Sequence, residues 1–116
     1  MKMPKIFHCR TSKTGPTTPV TVVITKYTNN NTLAVLLKCA KTPWEDFAVI
    51  TVNLSGSPYG DGKYQSDTKA YIDTNNCPWA EDFLKENNIA KPLDLYGMSG
   101  YCTYPLYEFD LDSVKE

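Results

Sequence analysis

The chain has 116 residues, 41% hydrophobic and 22% charged, with a formal net charge of −1. That size supports one hydrophobic core and excludes two domains, and the composition excludes wholesale disorder. No apolar run nears the roughly 20 residues of a membrane helix, the basic N-terminus lacks a secretory apolar segment, and a near-neutral balance predicts no direct nucleic-acid partner; a cytoplasmic protein is expected.

Residues 5–10 (KIFHCR) predict a short strand with Phe7 and Cys9 on one face and Ile6 and His8 on the other. TSKTGPTTP (11–19) is a loop by its Gly-Pro and Thr content. VTVVITKY (20–27) alternates Val20, Val22 and Ile24 against Thr21 and Thr25, the pattern of a half-buried strand. An Asn-rich turn at 28–31 then leads into TLAVLLKC (32–39), a second long strand with Leu33, Val35, Leu37 and Cys39 aligned. Pro43 and Trp44 mark another turn. FAVITVNL (47–54) follows as a third strand, and its continuous apolar run predicts a central place in the sheet. Short connections make the three an antiparallel meander.

SGSPYGDGKYQSD (55–67) reads as a flexible loop; Gly60-Asp61-Gly62 lacks the spaced carboxylates of a calcium loop. After a short strand near 68–72 comes the chain's principal helix, expected to be capped by Asn76 or Cys77 with Pro78 in its first turn. Trp79 and Phe83, and Ala80 and Leu84, stand four apart and form one apolar stripe. Asn87-Asn88 supplies a left-handed C-cap, and Pro92 stops the helix from resuming. A loop bracketed by Gly97 and Gly100 precedes YCTYPLYEF (101–109), extended, with Pro105 placing it at an edge or a bulge. The expected fold is a single α+β domain: an antiparallel meander packed on one principal helix, closed by an aromatic C-terminal edge strand.

Residues 1–58 carry +5 and residues 59–116 carry −6, which within one fold are expected to offset each other. Cys9, Cys39, Cys77 and Cys102 form no closely spaced pair. They are expected to be free thiols, with zinc shared among them as the alternative and disulfides behind that. His8 and Cys9 point to opposite faces and make no dyad. No nucleophile elbow, phosphate loop or dinucleotide fingerprint occurs, so no enzyme and no cofactor are expected. The tyrosines after residue 95 could stack on bases, but from Tyr96 onward Lys115 is the only basic residue, which favours protein contact. The candidate partner surface is Glu81, Asp82 and Glu86 on the helix, Met98 in the Gly97–Gly100 loop, and Tyr96, Tyr101, Tyr104 and Tyr107. Exposed aromatics on an edge strand also make a dimer a natural expectation.

YIDTNNCPWAEDFLKENN (71–88) followed by GMSGYCTYPLYEFDL (97–111) resembles the family of domain of unknown function 4313. The resemblance is specific over about 70–111; the first half is similar in pattern. It carries no catalytic residues. It implies a phage or mobile-element setting, and with it a protein that binds and blocks a host defence protein, such as the Cas nuclease Cas9. A small zinc-stabilised accessory protein of the element is the alternative.

Overall fold

The computed structural model describes residues 5–54, 64–99 and 101–114. The sequence expectations for the loop at 55–63, including Gly60-Asp61-Gly62, and for Gly100 and Lys115, lie outside the described residues.

The predicted strands of the first half form as their alternation dictates. β1 (Ile6–Cys9), β2 (Thr18–Lys26), β3 (Leu33–Cys39) and β4 (Asp46–Val49) make a four-stranded antiparallel sheet in that order. Register pairs Val20 with Cys39, Val22 with Leu37 and Ile24 with Val35, so the period-2 apolar positions of both long strands share the core face. The Asn-rich turn closes with Tyr27 accepting from Asn31 N–H at 2.9 Å, and Asn31 takes φ 58°, the left-handed region Asn tolerates.

The third strand is where the expected single meander fails. Instead of crossing one sheet centrally, 46–52 breaks at the fully buried Ile50. β4 is the edge of the first sheet; β5 (Thr51–Val52) is the edge of a second, ordered β5-β6-β8-β7. Ile50 donates its N–H to Val35 at 3.1 Å and accepts from Asp73 N–H at 2.8 Å, tying the two sheets together. Thr51 enforces the break. Its buried hydroxyl accepts the Val35 N–H at 3.1 Å and bonds the Tyr27 hydroxyl at 2.9 Å, standing in for a ladder carbonyl.

The second sheet comprises β5, β6 (Lys69–Ile72), β7 (Ala90–Ser99) and β8 (Cys102–Phe109), all pairs antiparallel. β8 is therefore not the expected edge strand. It lies between β6 and β7, because residues 90–99, in which the sequence predicts no strand and a loop from Gly97, pair along it as a hairpin. Pro105 fits because β6 pairs with β8 only from Leu106 to Glu108, just past the proline. The fold is mostly β with one short helix, two sheets rather than one.

That helix, α1 (Ala80–Glu86), starts later than predicted. Neither Asn76 nor Cys77 caps it, and Trp79 at the N-cap makes no side-chain capping bond. Asp73 instead organises the approach, accepting the Asn76 N–H at 3.2 Å and the Cys77 N–H, through its carbonyl, at 2.8 Å. The predicted stripe holds: Ala80, Phe83 and Leu84 are buried and half-buried Trp79 packs beside them, Phe83 edge-on to Phe7 at 6.4 Å and Trp79 edge-on to Phe47 at 5.8 Å. Each of Phe83 and Leu84 contributes roughly 1.5–3 kcal/mol of burial. At the other end Asn88 N–H bonds Lys85 C=O, Ile89 N–H bonds Leu84 C=O, and Asn88 sits at φ 55°. This is the Schellman motif that the Asn pair predicts.

The main core lies between the two sheets and the helix, built around Phe7, Val35, Leu37, Ile50, Ile72 and Tyr107. A smaller cluster of Leu54, Tyr71, Tyr104 and Leu106 covers the opposite face of the second sheet. Both faces of that sheet are thus apolar.

Candidate functional site

In the outer half of the β7–β8 hairpin, Tyr96 pairs with Pro105, Gly97 with Tyr104, and Met98 with Thr103. Alternation puts Tyr96 and Met98 on one face and Gly97 on the other. Tyr96 is 61% exposed, Met98 56%, and Tyr101, in the connecting turn, is fully exposed. Leu95 adds to this apolar surface, just past a bulge where Asp94 takes φ 57°. Gly97 is no loop hinge. A Cβ there would lie 2.5 Å from Leu54 Cδ1 and 2.8 Å from Tyr71 Cε1, so its bareness lets β7 press onto the small cluster.

Two predicted contact tyrosines are core residues instead. Tyr104 is 8% exposed and Tyr107 fully buried, on opposite faces of β8. The Tyr107 hydroxyl donates to Glu81 Oε1 at 2.6 Å, fixing the helix to the sheet. Burial first, then the Glu81 bond and the charges of Glu81 and Asp82, hold the Tyr107 hydroxyl well above the ordinary tyrosine range; the Tyr96 hydroxyl adds to the same effect. Glu81 and Tyr107 are therefore paired.

The predicted acidic face is divided. Glu81 turns toward the hairpin, whereas exposed Asp82 and Glu86 line a groove on the other flank of α1. Its far rim is Arg10, Thr11, Ser12 and Lys13, just past β1 and in the connection to β2. A sequence signal for this groove existed: Trp79, Asp82, Phe83 and Glu86 recur at i, i+3, i+4, i+7 and so share one helical face.

The opposed charges do not cancel pair by pair. Residues 5–54 hold six Lys/Arg against two Asp/Glu, +4; residues 64–114 hold three against nine, −6. Among the described residues the one ion pair is Lys38–Asp46 at 2.9 Å, within the first sheet. The hairpin patch thus belongs to the acidic half of the chain.

The cysteines are dispersed. Cys9 and Cys77 sit in the main core, Cys102 packs against the small cluster, and Cys39 ends β3, half-exposed. Burial above all, then Cys77 and Glu86, pushes the Cys9 thiol up to about 12; burial and then Asp73 raise Cys77, whose thiol donates to Val49 C=O at 3.7 Å. Among the described residues no three His, Cys, Asp or Glu side chains gather to hold a metal ion, so the zinc alternative finds no ligand set there. His8 is exposed on the face opposite buried Cys9, as alternation predicts.

A family model, domain of unknown function (DUF4313), matches residues 21–116. The chain belongs to that family. The match reaches into the first sheet of this DUF4313 member, well beyond the 70–111 stretch that carries the resemblance. No curated protein and no solved structure matches the chain. Among the described residues of this DUF4313 protein no helix is long and apolar enough to cross a membrane.

Proposed function

We propose that this DUF4313 protein is a non-enzymatic product of a phage or other mobile element that acts in the host cytoplasm by binding and blocking a defence protein, with the Cas nuclease Cas9 the first partner to test. The observation that carries the reading is the exposure of Tyr96, Met98 and Tyr101 on a hairpin in the acidic half of the chain. Aromatic and Met side chains are the usual anchors of protein interfaces, because they bury large area at low rotamer cost. The net negative charge of this half of the chain steers a basic partner surface onto them. The mobile-element setting comes from the family resemblance.

The test is a pull-down of guide-loaded Cas9 by the full chain, with DNA cleavage assayed in parallel. Wild type is expected to bind and to reduce cleavage; the Tyr96→Ala/Met98→Ala/Tyr101→Ala variant loses more than about tenfold in affinity. Full cleavage with no capture would dismiss Cas9, and capture unaffected by the triple variant would dismiss the surface.

A further inference from the structure

The groove between α1 and the β1–β2 connection lies on the other flank of the helix from the tyrosine patch, and it has a volume of about 380 Å³. That is within the roughly 300–1,000 Å³ of small-molecule sites. From its composition we propose that it binds a mononucleotide, a nucleoside carrying one phosphate.

Three chemically different surfaces meet there. One rim is Arg10-Thr11-Ser12-Lys13, two cations flanking two hydroxyls in consecutive positions. That set supplies charge and short hydrogen-bond donors to a single tetrahedral anion. The floor is Pro78, Trp79 and Phe83. Trp79 is half-buried and held edge-on to Phe47 at an interplanar angle of 70°, so it offers a fixed apolar platform of the kind on which bases stack. The second rim is Asp82 and Glu86, one helical turn apart and exposed. Carboxylates accept from ribose hydroxyls, the role an acidic residue plays toward nucleotide ribose elsewhere.

The arrangement also selects against competing ligands. Arg10 and Lys13 form no ion pair with Asp82 or Glu86 among the described residues, so each rim keeps its charge for a ligand. The acidic rim repels a second phosphate, which disfavours a continuous nucleic-acid strand.

The experiment is a two-dimensional amide NMR titration of the full chain with adenosine monophosphate, adenosine, ribose phosphate, inorganic phosphate and a short single-stranded oligonucleotide. Adenosine monophosphate is expected to shift residues 10–13, 79–86 and the Trp79 indole saturably, at least about tenfold more tightly than adenosine or phosphate alone. Arg10→Ala/Lys13→Ala lowers its affinity to that of adenosine. Asp82→Ala/Glu86→Ala abolishes the preference for adenosine monophosphate over its 2′,3′-dideoxy analogue, titrated beside it. All four side chains are exposed, and unchanged resonances elsewhere verify the fold. The proposal is overturned by no shift in the groove at millimolar nucleotide, by phosphate alone matching the nucleotide, by tighter binding of the oligonucleotide, or by an inert Arg10/Lys13 double variant.

Discussion

At Gly97 the added methyl of an alanine meets Leu54 and the Tyr71 ring inside van der Waals contact, and both neighbours belong to a packed cluster that cannot simply move aside. Gly97→Ala is expected to lower stability by about 1–3 kcal/mol in urea unfolding; an unchanged midpoint would show that the cluster has slack. Tyr107 is the other residue on which much depends. Its buried hydroxyl is the donor to Glu81, and a bond to a charged acceptor contributes about 1.5–3 kcal/mol, so Tyr107→Phe is expected to lose an amount in that range. Folding holds the hydroxyls of Tyr27, Tyr104 and Tyr107 and the thiols of Cys9 and Cys77 protonated, burial being the first cause in each case. Their pKa values are raised, so the stability they contribute is complete below the unfolded values. It falls as pH climbs from about 8.5, the free thiol value, through the tyrosine range near 10, because the unfolded chain then holds fewer protons. The urea midpoint should decline over that window, and less steeply in Tyr107→Phe. A flat profile would contradict the assignment.

Among the elements, the break between β4 and β5 decides the architecture. Ile50 is completely buried with both backbone groups bonded to different sheets. Ile50→Ala should cost about 2–5 kcal/mol. Thr51→Val keeps the shape but removes the acceptor for Val35 N–H and the partner of Tyr27, and should cost about 1–3 kcal/mol in the same assay. A neutral Thr51→Val would mean the break is set by chain length rather than by the hydroxyl. The helix shows the contrast between local and non-local control. Its apolar stripe and Asn88 C-cap follow from residues within a few positions of one another, and both were legible. Its start was not, because Asp73, seven residues upstream, rather than a capping side chain, shapes the entry.

For the whole molecule, the uneven charge of the chain's two halves bears on association. With residues 64–114 at −6 and residues 5–54 at +4, binding of a basic partner through the hairpin patch should be steered by charge. Raising salt from about 0.05 M to 0.5 M is expected to slow association at least several-fold while leaving dissociation nearly unchanged, which surface plasmon resonance would read; salt-independent association would dismiss steering. From sequence alone came the long strands β2 and β3, the short β1 and β6, the buried helix stripe, the Asn turns and the membership that residues 71–88 and 97–111 signal. Each of these depends on periodicity or turn chemistry within a short window. Only the tertiary structure decided that FAVITVNL serves two sheets, that 90–99 is a strand, and that YCTYPLYEF is interior. It also decided which candidate residues meet: Glu81 bonds Tyr107, Tyr104 and Tyr107 are lost to the core, and Asp82 and Glu86 line one groove with Arg10 and Lys13. The physical reason is that a strand's local pattern reports which faces are apolar, whereas its neighbours are chosen by pairing with residues tens of positions away.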